Sequence, residues 1–155
     1  MDSTTLAYIA GFLDGDGSIF FQIVKKEDYK LGFQIRTSIA FYQKTENAEI
    51  LQWLKNYFTS GSIRHRKTGI SDYTVVESNE VEKILSLLQP YIKLKKRQIE
   101  LGLTILQKLK TKQSPKEFLE VSKFVDEFGK MNYSKKRTIT SKVVEDYFKS
   151  KLLPL

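Results

Sequence analysis

The order of apolar and polar positions predicts a helix followed by two strands at the start of the chain. Residues 4–13 are almost all apolar, which indicates a short helix. Residues 18–26 and 33–43 alternate between two kinds of side chain, which is typical of strands. One face of the longer strand is apolar and the other is mixed polar and basic, as expected when a helix covers one side and water or a ligand the other. The candidates for the N-cap of the helix are Ser3, Thr4 and Thr5.

The same succession of elements recurs in the middle of the chain. Residues 45–58 have the apolar spacing of a helix, with Thr45 as the expected N-cap. Two more strands are predicted at 62–67 and 71–77, and another helix at 79–89. The order helix, strand, strand, helix, strand, strand, helix predicts an α+β fold, in which helices cover one side of an antiparallel sheet.

The rest of the chain is predicted to be helical. Helices are expected over 94–111, from Ser114 to about residue 128, and over 141–149, with a basic loop at 130–138. No linker or change of composition divides the chain, so residues 1–155 are predicted to form a single domain with a substantial core.

Charge and composition narrow the classes of function. Lys and Arg number 26 against 18 Asp and Glu, and the net charge of +8 favours a polyanionic partner such as nucleic acid. Cysteine is absent and His65 is the only histidine, which argues against zinc fingers, thiol nucleophiles and Ser-His-Asp catalysis. We interpret His65 as structural, because it alternates away from the neighbouring arginines. No apolar run is long enough for a membrane span and no signal peptide is visible, so a soluble protein without a membrane partner is expected.

The end of the first predicted helix departs from ordinary helix chemistry. Ala7, Gly11 and Gly15 are spaced four apart and form a small-residue face, along which a second helix can approach closely. Asp14 and Asp16 follow at the C-terminal end, where the helix dipole favours cations over acids. Alone, this acidic stretch would be interpreted as a solvated turn. Together with the helix and the small-residue spacing, it indicates a site for a hard cation.

Residues 9–17, with the sequence IAGFLDGDG, resemble the LAGLIDADG motif of homing endonucleases. The resemblance extends from Leu6 to about Thr140 and agrees with the predicted order of elements. It is strongest to the single-motif, homodimeric branch, particularly enzymes encoded in introns of organellar ribosomal RNA genes. It implies a saddle-like sheet on double-stranded DNA, and magnesium- or manganese-dependent cleavage of both strands at a long pseudo-palindromic site in an organelle. The implied dimer interface contains Ala7, Gly11, Phe12 and Gly15.

The resemblance also assigns catalytic roles. Asp16 is implied as the metal ligand, with the Gly15 carbonyl beside it, and Asp14 as a secondary residue of the helix end. Gln43 is implied to orient water in the active site. Lys95, in QPYIKLKKRQ, is implied to stabilise the transition state or to act on the attacking water; without the resemblance it would be interpreted as part of a solvated charged segment. The resemblance also implies an arginine early in the second helix, where this chain has Asn47.

Predicted DNA contacts fall into two groups. The first group lies on the strands and consists of polar side chains that can hydrogen-bond base edges, as Arg does with guanine and Gln with adenine. Its members are Gln22, Lys26, Gln34, Arg36, Arg64, Arg66 and Asp72, and Tyr29 and Thr74 are predicted to add contacts. In the basic loop, phosphate contacts are predicted for Ser134, Lys135 and Lys136. An ordinary exposed sheet face and a solvated loop are the structural alternatives.

Two other functions remain open at this stage. Some members of the resembled family are RNA maturases that assist intron splicing, and some relatives have kept the fold as DNA-binding regulators that do not cut. The presence of Asp16, Gln43 and Lys95 argues against the non-cutting regulator.

Overall fold

The computed structural model describes residues 1–132 and 139–155. The described helices are α1 (Ser3–Asp16), α2 (Glu49–Phe58), α3 (Ser78–Leu88), α4 (Lys96–Leu109), α5 (Pro115–Lys130) and α6 (Ser141–Ser150). The described strands are β1 (Gly17–Lys25), β2 (Phe33–Lys44), β3 (Ser62–His65) and β4 (Ile70–Val75), in the sheet order β1-β2-β4-β3. Both β2 and β3 pair with β4 in antiparallel register. The αββαββα order and the antiparallel sheet predicted from the sequence are confirmed.

The chain divides into two compact units. The first contains Met1–Phe20 and Thr37–Ile99, and the second contains Phe21–Arg36 and Glu100–Leu155. The motif helix and the β3–β4 pair belong to the first unit, and the β1–β2 turn and the last helices belong to the second. The assignment of residues 1–155 to a single domain stays a prediction.

The core of the first unit lies between α1, α2, α3 and the sheet residues of that unit. The buried residues of α1 are Leu6, Ile9, Ala10 and Leu13, which share one face of the helix. In the sheet, the Tyr73 ring stacks on Phe41 with 6.0 Å between ring centroids. Its hydroxyl donates a hydrogen bond to the Ser60 carbonyl at 2.9 Å. Burial raises the pKa of Tyr73 to about 12, so the phenol stays neutral in the core.

The ends of α1 differ from the prediction. Its N-cap is Asp2, whose carboxylate accepts the Thr5 N–H at 2.8 Å, and not one of the three following hydroxyl residues. At the other end, the helix continues to Asp16, three residues beyond the predicted limit. A Cβ atom at Gly17 would lie 2.6 Å from Leu13 Cδ1 and 2.9 Å from Leu13 Cα. The transition from helix to strand therefore requires glycine at this position.

The start of α2 also differs from the prediction. Residues Thr45–Asn47 form a 3₁₀ turn, and the α-helix begins at Glu49. The Thr45 hydroxyl does not cap the helix, because it is hydrogen-bonded to the Ser71 hydroxyl at 2.8 Å. Elsewhere the predicted ends are shifted by a few residues; β3, for example, ends at His65 and not at residue 67.

The second unit has its own aromatic core. The Phe33 ring lies against Phe118, Tyr147 and Phe148. α5 begins with a capping box formed by Ser114 and Glu117, which agrees with the predicted start signal. Among the described residues, no helix has both the length and the apolar character needed to cross a membrane.

Candidate functional site

α1 has apolar residues on both of its faces. Opposite the buried face, Ala7, Tyr8, Gly11 and Gly15 are exposed to solvent, with Tyr8 at 57%. A Cβ atom at Gly11 or Gly15 would meet no atom of the described residues within 4 Å. A helix that is apolar all round is normally covered on all sides. Among the described residues of one chain, nothing therefore covers the exposed face.

Phe12, the fourth residue predicted at the dimer interface, has a different environment. It is half-buried, and its ring lies 5.4 Å from that of Phe41, on the core side of the helix. Part of the ring remains accessible beside Gly11.

A cleft of about 600 Å³ opens along the exposed side of α1. It brings Asp16 and Gln43 together, as the resemblance implied, and it places Asn47 in the same wall. Gln43 is the next-to-last residue of β2, and its side-chain oxygen accepts the backbone N–H of Lys44 at 2.9 Å. The remaining lining residues are Ala7, Tyr8, Gly11, Phe12 and Ile50.

Asp16, the last residue of α1, presents an exposed carboxylate to this cleft. Within the described ranges, its side chain forms no hydrogen bond or ion pair, and no cluster of three metal-binding side chains is present. One chain thus contributes one carboxylate, with the Gly15 carbonyl in the same last helical turn. This donor set fits Mg²⁺, which typically binds one or two carboxylates and takes its other ligands from substrate phosphates and water.

Asp14 is engaged with another part of the first unit. Its carboxylate accepts three successive backbone N–H groups, from Lys93 at 2.8 Å, Leu94 at 3.0 Å and Lys95 at 3.0 Å. Partial burial acts to raise the pKa of Asp14, but these three donors and the charge of Lys95 outweigh it and lower the pKa. No local sequence pattern indicates this contact, because the partners lie 79–81 residues away in the chain.

Lys95 supplies the cation that α1 lacks at its C-terminal end. The last turn of α1 contains no basic residue. The Lys95 ammonium donates a hydrogen bond to the Asp14 carbonyl at 2.9 Å and so lies at the negative end of the helix dipole. The predicted helix start at residue 94 is wrong, because residues 93–95 form a bend around Asp14. α4 begins only at Lys96.

The β3–β4 pair holds a charged cluster centred on Asp72. Its carboxylate accepts hydrogen bonds from Arg66 Nε at 2.7 Å, Arg64 Nη2 at 3.3 Å and the Thr74 hydroxyl at 3.0 Å. Arg66 also lies over the ring of Tyr42, 5.7 Å from its centroid. Burial acts to raise the pKa of Asp72, but Arg66 and Thr74 outweigh it and hold the pKa below its usual range.

This geometry places Asp72 beneath the two arginines. Its side chain is only 4% exposed, whereas those of Arg64 and Arg66 are 67% and 41% exposed. Asp72 therefore orients the arginines from below, and the predicted direct contact of its carboxylate with a base edge stays a prediction. Tyr42, which faces Arg66, was not among the predicted contacts.

His65, which was interpreted as structural, and the remaining predicted DNA contacts lie outside this cluster. His65 Nδ1 is 2.7 Å from the Ser71 hydroxyl, which also bonds to Thr45. In the second unit, the Lys26 ammonium lies 4.8 Å from the centre of the Tyr29 ring, and Arg36 Nε donates to Gln34 Oε1 at 3.4 Å. Gln22 is exposed on β1. The predicted phosphate contacts Ser134, Lys135 and Lys136 lie outside the described residues.

Comparison with known proteins agrees with the motif and the geometry. Residues 9–105 match the LAGLIDADG endonuclease family model. The chain is 36% identical over 148 residues to DNA endonuclease I-CvuI of Chlorella vulgaris, covering 96% of this chain and 92% of that protein. It is 40% identical over 140 residues to DNA endonuclease I-CreI of Chlamydomonas reinhardtii, covering 90% and 85% respectively.

Solved structures give the same result. Two crystal structures of I-CvuI superpose with a TM-score of 0.93 and 34% identity over 98% of this chain and 97% of that one. One contains its target with 2 mM Ca, and the other contains the I-CreI target with 2 mM Mg and uncleaved DNA. From the matched family model, the two close relatives and the shared fold, we conclude that this chain belongs to the LAGLIDADG endonuclease family.

Proposed function

We propose that the protein is a site-specific DNA endonuclease that makes a double-strand break by metal-dependent phosphodiester hydrolysis and thereby starts intron homing. The observation that carries this proposal is the exposed Asp16 carboxylate, which lies in the cleft beside Gln43 and has no protein partner among the described residues. The relatives are DNA endonucleases, and their agreement with the chain covers both the motif and the sheet.

Asp16 and the Gly15 carbonyl are the residues that would hold the metal, which we propose to be Mg²⁺ or Mn²⁺. When bound, such a cation supplies an activated water and stabilises charge on the phosphate. Gln43 lies in the same cleft wall and can orient water through its amide group. The Lys95 ammonium at the end of α1 adds a fixed positive charge for the developing negative charge of the reaction.

We propose a homodimer as the active form. One chain offers one motif carboxylate, whereas a cut in both strands requires two centres, and a two-fold axis supplies them most simply. The uncovered face of α1, with open space beside Gly11 and Gly15, is the surface on which a second copy would pack. Gly11→Leu should block this packing and abolish cleavage. A monomeric protein in analytical ultracentrifugation that still cuts both strands would contradict the dimer.

DNA recognition is proposed for the polar sheet positions. Arg64 and Arg66 are partly exposed and held at their inner side by Asp72, so their outer donors remain available for base edges. In the second unit, Gln22, Lys26, Tyr29, Gln34 and Arg36 are proposed to read other positions of each half-site. Ser134, Lys135 and Lys136 are proposed to contact phosphates, which position the protein without specifying sequence. An organellar location is proposed from the resemblance to intron-encoded enzymes.

A plasmid library tests the proposal. Plasmids containing randomised variants of the I-CreI target are incubated with the protein in Mg²⁺, in Mn²⁺ or in EDTA, and linear products are sequenced. Linear plasmids with a common pseudo-palindromic site are expected only with a divalent metal. Retention of plasmids on the protein without any cutting would favour a DNA-binding regulator. Acceleration of intron splicing without DNA cleavage would favour a maturase.

A further inference from the structure

The Asp14 carboxylate accepts hydrogen bonds from three successive backbone N–H groups. Asp14 Oδ2 accepts the N–H groups of Lys93 and Leu94, and Oδ1 accepts that of Lys95. Three successive N–H groups directed at one anion form a concave site of the kind that binds carboxylates and phosphates. Here the anion is a side chain of the same protein, so the path of residues 93–95 is tied to the end of α1.

Lys95 is bound to Asp14 a second time, through its side chain. Its ammonium donates to the Asp14 carbonyl at 2.9 Å, so one residue of α1 receives both the backbone N–H and the side chain of Lys95. An ammonium group has three N–H donors, and this contact uses one of them. Lys95 is half-buried, which leaves the remaining donors for an oxygen atom that enters the site.

Asp14 and Asp16 serve different partners because of helix geometry. Residues two apart in a helix do not face each other. The Asp14 carboxylate therefore points to residues 93–95, and that of Asp16 to the cleft. The polypeptide nevertheless connects the two carboxylates within a single helical turn, so any group fixed to Asp14 is also fixed relative to Asp16.

We infer that Asp14 is a positioning residue, which sets the Lys95 ammonium relative to Asp16 for cleavage. The inference rests on the proposed function and extends it. Small displacements of a reacting group reduce rates sharply, with about 100-fold lost for a misplacement of about 1 Å. Asp14→Asn replaces one acceptor oxygen by a donor, so the amide cannot accept all three N–H groups and the segment that holds Lys95 loosens.

A double-mutant cycle tests this inference against a merely structural role. Asp14→Asn, Lys95→Met and the double variant are compared in single-turnover cleavage of one duplex selected from the plasmid library, with duplex affinity measured separately in EDTA. Asp14→Asn is expected to lower the cleavage rate about 10- to 100-fold and to leave affinity within about two-fold. Added to Lys95→Met, it should cause no further loss, because its effect passes through Lys95. Independent losses that multiply would overturn the inference.

A matched control comes from the second unit. The Asp126 carboxylate accepts the Ser141 N–H at 3.1 Å at the start of α6, so it anchors a helix as Asp14 does, without any proposed catalytic partner. Asp126→Asn should lower the melting temperature and leave the single-turnover rate unchanged. If Asp14→Asn does not fold by circular dichroism, Asp14→Ser keeps a short acceptor, and the same cycle with Lys95→Met decides.

The outcomes separate the inference from the proposed function. A wild-type protein that cuts no duplex from the library overturns the proposed function, and the inference with it. A wild-type protein that cuts, together with an Asp14 variant of unchanged rate, overturns the inference alone.

Discussion

The carboxylates of Asp72 and Asp16 show opposite uses of a buried and an exposed acid. Asp72 lies under the β3–β4 face, and its oxygens are occupied by Arg64, Arg66 and Thr74. Asp16 lies at the exposed end of α1 and has no protein donor among the described residues. The first acid is neutralised inside the protein, and the second is left for a partner that is not part of the chain.

The number of protein donors around a carboxylate distinguishes an orienting acid from a ligand. Protein donors that surround a carboxylate lower its pKa and fix its neighbours, as they do for Asp72 and also for Asp14. A carboxylate without such donors keeps its lone pairs for a cation. The same substitution, Asp to Asn, should therefore have different results at the two places.

The largest effect is expected at Asp16. Asp16→Asn retains the size of the side chain and removes the charge needed for a hard cation. Cleavage should fall at least about 1000-fold, because a metal contributes several kcal/mol to the transition state. DNA affinity should stay equal or increase, because a negative charge beside the phosphates is removed. The measurement is a binding titration with a cleavage time course on one duplex; a variant that cuts at the wild-type rate contradicts the metal role.

Asp72→Asn should have the reverse pattern. The amide accepts fewer hydrogen bonds, so Arg64 and Arg66 lose their common anchor. The free energy of unfolding should fall by about 1–3 kcal/mol. The lower end is expected, because both guanidinium groups are solvent-exposed. Site preference should broaden, while the cleavage rate at saturating protein should change little. Urea unfolding and cleavage of a randomised-site panel measure the two quantities. A selective loss of rate with unchanged preference would remove the distinction between the two acids.

Arg66→Ala tests which residues of the cluster read DNA. Discrimination at one symmetric pair of base positions should fall by about 1–3 kcal/mol, which is the value of a good bidentate base contact. Lys136→Ala serves as the contrast. Loss of a phosphate contact should weaken binding to all sites alike and reduce the dependence of the affinity on salt. Equal losses at every site for both variants would show that Arg66 contacts only the backbone of DNA.

The smallest effect is expected in the pH dependence of stability. The folded-state pKa of Asp72 is lowered, so its contribution is fully present above the unfolded-state pKa of about 3.9 and is lost as the pH falls through the folded-state value. Asp72→Asn should therefore reduce the difference in unfolding free energy between about pH 5 and pH 3. Urea titrations at both pH values check the prediction. The same difference in unfolding free energy for wild type and Asp72→Asn would contradict it.

Local patterns were enough to predict most of the fold. In the predicted first strand, the alternating residues Ile19, Phe21 and Ile23 are all buried, because a strand has a strict period of two. The predicted start of α5 was also correct, because Ser114 and its partner Glu117 are only three residues apart. Helix ends without such a local signal were less accurate. At α1, several neighbouring residues could cap the helix, and Asp2 does so.

The family, the order of elements and the basic charge that favours DNA could be predicted from the sequence, because they depend on residue type and on short spacings. The environments of the three acids could be seen only in the folded protein. Asp14 meets a segment about 80 residues away, Asp72 is enclosed by its strand neighbours, and Asp16 stays exposed. Such environments depend on which distant segments pack together, and the local periodicity of a chain contains no information about that.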